Sequence, residues 1–164
     1  SFSREQAMQA VSYYREYYEE KGMFENEVYP GIKQLLRDLT KQGVLCLVAT
    51  SKPEIYAKKI LDYYELSNYF YYIAGANMDG TRTDKAEVIA YALKQIPAEY
   101  SNKKVLMVGD RSHDIIGAKK NGIDCAGVLF GYGSSEELEE AGADFIADSV
   151  EAVRNIILLD TAMN

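Results

Sequence analysis

Between residues 44 and 159 short apolar runs alternate with helical patterns, and few folds accept such a string. Strands are expected at 44–49, 69–74, 105–108, 125–129 and 144–147. Helices are expected between them, at 53–64, 84–95, 114–121, 135–141 and 149–159. Runs this short and apolar, bounded by glycine or polar residues, read as strands buried on both faces. Strand–helix alternation joined by right-handed crossovers gives an α/β fold, a Rossmann-like parallel sheet with helices on both faces. A further helix over 30–42 is expected to start at Pro30, where a missing N–H costs nothing, and to stop at Gly43.

Polar residues follow three of these strands. Thr50, Ser51 and Lys52 come after the first, and the loop after the second carries Arg82, Thr83 and Asp84 before Lys85 opens a helix. Gly109, Asp110 and Asp114 follow the third. In a parallel sheet these exits share one side, where open α/β sheets bind ligands. A hydroxyl, an ammonium and a carboxylate pair able to hold Mg²⁺ describe a cradle for a transferring phosphoryl group, which asks for positioning and charge neutralisation.

Each residue also has a plainer role. Thr50 to Pro53 can cap a proline-started helix, Asp110 can be a turn residue and Asp114 an N-cap. Lys85 opposes the helix dipole where it stands, which favours a functional role. His113, the single histidine, is expected to be a solvated loop residue.

Composition narrows the partners. The 164 residues amount to one domain, and a formal charge of −7 argues against a nucleic-acid backbone as partner. Cys46 and Cys125 sit inside apolar runs and are expected to be reduced core thiols. No apolar run approaches the roughly 18 residues that span a bilayer, and no signal peptide is visible. The expectation is a cytoplasmic protein with no membrane partner.

Residues 3–21 lie outside the alternation and form a helical pattern closed by Gly22. Ser3 and Gln6 are spaced as a capping box. Tyr13 with Tyr17, and Tyr14 with Tyr18, pair at helical spacing; such a band can line a substrate cleft or meet a partner, but packing surface is the expectation.

Three segments together resemble the haloacid dehalogenase superfamily, in its phosphoglycolate-phosphatase-like branch. They are Val48-Ala49-Thr50-Ser51-Lys52-Pro53, Lys85 within Arg82–Ile89, and Gly109-Asp110-Arg111-Ser112-His113-Asp114; Tyr29-Pro30-Gly31 resembles the return from a cap. The resemblance implies a Mg²⁺-dependent phosphatase that hydrolyses a small phosphomonoester, phosphoglycolate or a nucleotide, through an aspartyl-phosphate. Thr50, with Ser51 beside it, would bind the phosphoryl group and Lys85 would support nucleophile and phosphate. Asp110 and Asp114 would serve the metal, and Arg82 would lie near the phosphate. Residues 1–24 would belong to a partial helical cap and 25–164 to the core.

The family's opening strand, ending Asp-x-Asp-Gly-Thr and carrying the nucleophile, has no counterpart here. Asn77-Met78-Asp79-Gly80-Thr81 imitates it, but an amide is no substitute for the attacking carboxylate and the order is wrong. We read it as a turn around Gly80. In the family the missing strand lies between those at 44–49 and 105–108, so two edges would face each other unpaired. A truncation or ordered remnant of a longer phosphatase is the expectation; direct closure of the two strands and a strand from another chain are the alternatives, with an oligomer possible through that strand or the incomplete cap. This chain alone is expected to be inactive. The alternative is a non-catalytic phosphate-binding or regulatory module. A receiver-like domain is disfavoured, because receivers place their acidic residues before the hydroxyl and lysine.

Overall fold

The computed structural model describes residues 21–162, together with residues 3, 6, 9, 13 and 17–19 of the preceding segment. Among the described residues the alternation is realised in α1 (Ile32–Lys41), β1 (Leu47–Pro53), α2 (Glu54–Tyr63), β2 (Tyr72–Ala76), α3 (Lys85–Leu93), β3 (Leu106–Gly109), α4 (Ser112–Lys120), β4 (Asp124–Val128), α5 (Ser135–Glu140), β5 (Phe145–Ala147) and α6 (Val150–Ala162). All strand pairs are parallel.

The strands form two sheets, β1–β2 and β3–β4–β5. Direct closure of β1 onto β3 does not occur, and among the described residues no strand pairs with the free edge of either. Burial reflects this split. Val108 of β3 is 36% exposed, whereas Cys125 and Ala126 of neighbouring β4 are fully buried.

Period-2 alternation along β4 and β5 sends successive side chains to opposite faces. Val128 and Ala147 meet Leu35 and Leu39 of α1 and Val153 of α6. Cys125, one step out of phase with Val128, meets Ile115 and Ala118 of α4 and Leu138 of α5. A third cluster joins Ala74 of β2 to Val88 and Ala92 of α3. Each fully buried Leu, Ile or Val side chain contributes about 1.5–3 kcal/mol, so the two faces hold the helices in place. Both cysteines are free.

Several boundaries move from those expected, each for a local reason. Helix α1 starts at Ile32 and not at Pro30, because Gly31 turns the chain with φ 89° and serves as the N-cap. The strand expected to end at Ala49 runs on to Pro53. Asp84, not a residue inside α3, caps that helix by accepting from Ala86 N at 2.8 Å. Asp114 lies within the first turn of α4 and is no N-cap. In the first segment, Ser3 N donates to Gln6 Oε1 (2.9 Å) and Gln6 N to Ser3 Oγ (3.2 Å), which is the capping box. Tyr14 lies outside the described residues.

Candidate active site

A cavity of ≈ 690 Å³ opens where the two sheets part. Thr50 and Ser51 reach it from β1, Lys85 from α3, and Asp110 and Asp114 from the β3–α4 junction. Three distant parts of the sequence thus meet in one place, as the common side of the strand exits predicts.

Thr50 is brought there by an irregular strand. β1 and β2 keep register through Ala49 and Ala74, then resume at Pro53 and Ala76, so residues 50–52 bulge away from the ladder. Gly75 makes this possible. A Cβ there would stand 2.5 Å from Glu54 Cα and 2.7 Å from Lys52 O, so only glycine lets the bulged backbone approach. Thr50 Oγ1 accepts from Lys52 N at 3.2 Å, which leaves its hydroxyl proton to donate to a ligand.

Lys85 Nζ bridges the parted sheets. It donates to Ala49 O of β1 (2.7 Å) and lies 2.9 Å from Asp114 Oδ1 beyond β3. Asp114 is almost wholly buried, and its Oδ2 accepts from Asp110 N and Arg111 N, each at 3.1 Å. Its Oδ1, despite the nearby ammonium, receives no well-directed hydrogen bond and is closed to solvent. A buried carboxylate oxygen is costly without a cationic partner, and the Lys85 ammonium is the one at hand. Asp110 Oδ2 accepts from Tyr132 N at 2.9 Å.

The donor set suits a hard cation. Two carboxylates flank the cavity, and among the described residues no group of three His, Cys, Asp or Glu side chains is arranged around a common point. Mg²⁺ is commonly held by one or two carboxylates, with waters and substrate phosphate completing its octahedron. Zinc-type ligation, with His and Cys donors, finds no such set here.

Arg82 is not brought to the cavity. Its guanidinium donates to Gly75 O (2.9 Å) and Asn77 Oδ1 (2.8 Å), stacks 3.7 Å over the Tyr91 ring and pairs with Glu54 (3.5 Å). These partners hold it beneath the β2 exit. Nearby, the hydrogen bond with Tyr91 pushes the Tyr72 hydroxyl up to about 12. The imitation motif closes on itself. Asp79 Oδ1 accepts from Thr81 N and Thr81 Oγ1, which lowers its pKa, and Asn77 Nδ2 donates to Thr81 Oγ1. His113 lies in the first turn of α4, over half exposed, with Nε2 3.6 Å from Asp114 Oδ1.

The far wall uses the alternative role of the tyrosine band. Tyr18, expected as packing surface, lines the cavity with Tyr56, Lys52 and Met78. The two rings meet edge to face at 5.6 Å, and Lys52 Nζ lies 5.1 Å from the Tyr18 centroid while donating to its hydroxyl. Glu137 was missed. Its Oε1 accepts from Ser112 N (2.8 Å) and Arg111 Nε (3.0 Å), and those bonds hold its pKa down at about 2. The strand-interior glycine at 75 is a readable sign of close backbone approach; nothing local announces Glu137.

Comparison with known proteins agrees with this geometry. Residues 1–128 match the sequence profile of the haloacid dehalogenase-like hydrolases. The chain belongs to that family. A 5'-nucleotidase of Pseudomonas aeruginosa is 38% identical over 158 residues, covering 95% of this chain and 70% of its own length. The tyrosine-protein kinase PtkA of Mycobacterium tuberculosis is 37% identical over 155 residues, covering 93% of this chain. This chain spans only 53% of that kinase. Among solved structures, a candidate phosphatase from Clostridium difficile superposes with a TM-score of 0.88 at 50% identity, over 95% of this chain and 72% of that one. The haloacid dehalogenase-like chain described here therefore shares its fold and most of its length with phosphatases. No helix of the described residues is long and apolar enough to cross a membrane.

Proposed function

We propose that the cavity between the sheets binds the phosphoryl group of a small phosphomonoester, and that the protein is a Mg²⁺-dependent phosphatase working through an aspartyl-phosphate. One observation carries this reading: Thr50, Lys85, Asp110 and Asp114, scattered along the chain, line a single cavity. Thr50 Oγ1 donates to one non-bridging phosphoryl oxygen, and Ser51 offers a second hydroxyl beside it. Lys85 offsets charge on another oxygen while keeping its contact with Asp114 Oδ1. Asp110 and Asp114 hold the cation, whose bound charge would lower the cost of negative charge building on the transferring group. Arg82 has no part in this, being committed elsewhere.

The attacking carboxylate is not supplied by the residues that imitate the family motif. Asn77 is an amide, and Asp79 is held within its own turn. We place the nucleophile on a strand that pairs with the open edges of β1 and β3, which expose backbone polar groups that a buried sheet would satisfy. On this reading the 164 residues alone bind phosphate and Mg²⁺ but turn nothing over. Residues 1–24 belong to a cap, whose Tyr18 joins Tyr56 in facing the leaving group; the aromatic wall suits the base of a nucleotide better than a glycolate. Two free cysteines are consistent with a cytoplasmic setting.

The experiment is phosphate release from nucleoside 5'-monophosphates, phosphoglycolate and a phosphotyrosine peptide. It compares this chain with a form extended to carry an Asp-x-Asp-Gly-Thr strand, with Mg²⁺ and with excess chelator. The reading expects turnover only from the extended form and only with Mg²⁺. Mg²⁺-dependent turnover by the 164-residue chain contradicts the placement of the nucleophile.

A non-catalytic phosphate-binding module of the same fold is the second reading, favoured by the engagement of both cavity carboxylates, Asp114 with Lys85 and Asp110 with the Tyr132 amide. Phosphate binding without hydrolysis in a full-length protein that also lacks the opening aspartates selects it.

A further inference from the structure

The segment from Gly131 to Glu137 is shaped around the Asp110 loop. Tyr132 N donates to Asp110 Oδ2 at 2.9 Å. A Cβ on Gly131 would lie 2.3 Å from Asp110 Cβ, and one on Gly133 would lie 2.2 Å from Asp110 O. Neither position accepts a side chain without pushing Asp110 aside. One turn later Glu137 Oε1 reaches back to Ser112 N (2.8 Å) and Arg111 Nε (3.0 Å). Ser134 Oγ caps Glu137 N at 3.1 Å, and the fully buried Leu138 anchors the helix behind it.

We propose that this segment is a positioning device for the cation-binding carboxylate, with the Tyr132 amide and the Glu137 side chain as its two working parts. The amide occupies Asp110 Oδ2 and so leaves Oδ1 as the oxygen offered to a cation. Glu137 fixes the two residues that follow Asp110, which sets where that oxygen stands. Arg111 neutralises Glu137 at 3.0 Å, so the clamp adds no net charge to compete with Asp110 for the metal. Groups that orient ligating carboxylates are worth about 10–100-fold in metal affinity. The inference rests on the reading of Asp110 as a cation ligand.

A purely structural Glu137 would cap α4 and do nothing more: its loss would lower the melting temperature and leave the cation affinity alone. The test is therefore calorimetric titration of Mg²⁺ into the 164-residue chain, with melting temperature measured on the same samples. Glu137→Ala is expected to weaken Mg²⁺ binding roughly 10-fold or more. Glu137→Gln keeps an oxygen for Ser112 N and recovers most of the affinity. Unchanged affinity in Glu137→Ala, with binding lost in Asp110→Asn, overturns this inference and leaves the reading of the site intact. Binding that is absent from the start, or indifferent to Asp110→Asn, overturns the site reading and this inference with it. Should Glu137→Ala not fold, Glu137→Asp, which retracts the carboxylate by one methylene, is read in its place, and unchanged affinity there overturns the proposal.

Discussion

Lys85 and Asp114 form an ion pair across the gap between the two sheets, Nζ to Oδ1 at 2.9 Å, with both side chains nearly buried. The same ammonium also donates to Ala49 O. One side chain thus ties Ala49, the last residue of β1 before its bulge, to the first turn of α4, and does so beside the cavity. Its placement at the first turn of α3, unfavourable toward the helix dipole, is offset by these two partners.

Removing the ammonium leaves a buried carboxylate without a counter-charge. Lys85→Met is expected to destabilise the chain by about 3–5 kcal/mol, the usual effect of breaking a buried pair from one side. Adding Asp114→Asn to it should recover part of that loss, since the two residues share one interaction. Urea unfolding of the two single variants and the double variant measures the coupling; strict additivity contradicts the pair.

Gly75 and Gly43 make a contrasting test of the bulge. A methyl at Gly75 meets backbone atoms of Glu54 and Lys52, whereas Gly43, with φ 73°, has nothing within 4 Å of its Cβ position. Gly75→Ala is expected to cost about 3 kcal/mol by overpacking, and to weaken phosphate binding through Thr50. Gly43→Ala should cost only about 1 kcal/mol, from its left-handed backbone. Equal losses at both positions contradict the packing argument.

Acid should erase what Glu137 contributes. Its pKa falls from an ordinary 4.5 to about 2 in the folded chain, chiefly through the Ser112 amide and then Arg111. A lowered carboxylate pKa stabilises the fold above 4.5, and that contribution drains away as pH drops toward 2. The melting temperature of the unaltered chain should therefore exceed that of Glu137→Gln at neutral pH, and the difference should narrow on acidification. A gap that stays constant across that range goes against the shift.

Arg82 separates structure from site. Its two hydrogen bonds and the Tyr91 stacking are internal to the β2 exit. Arg82→Met is expected to cost roughly 2 kcal/mol in stability, while phosphate binding at saturating Mg²⁺ is unaltered. A large drop in phosphate affinity without loss of stability would return Arg82 to the cavity.

Much of this was legible in the residues. Short apolar runs separated by helical patterns predicted parallel pairing, and the position of Thr50, Lys85 and Asp110 after their strands predicted convergence. The parting of the sheet was one of the outcomes the resemblance left open, beside direct closure of the two edges. What could not be read is long-range or backbone-borne. The extension of β1 to Pro53 was hidden because its bulged residues are polar and face a cavity, so the apolar signal stops at Ala49. Arg82 was drawn toward the phosphate by its neighbours in sequence, although Tyr91 and Gly75 claim it in space. Glu137 looked like one acid among several in an acidic helix, and its tie to Ser112 spans 25 residues.

The central claim is that Thr50, Lys85 and Asp110 serve one phosphoryl group. Crystals of this chain soaked with Mg²⁺ and tungstate, a heavy phosphate mimic, test it directly through the anomalous signal of tungsten. The account predicts a tungsten peak within hydrogen-bonding distance of Thr50 Oγ1 and Lys85 Nζ, with Mg²⁺ on Asp110. Tungstate bound elsewhere, with those three side chains unmoved and the cavity empty, contradicts it.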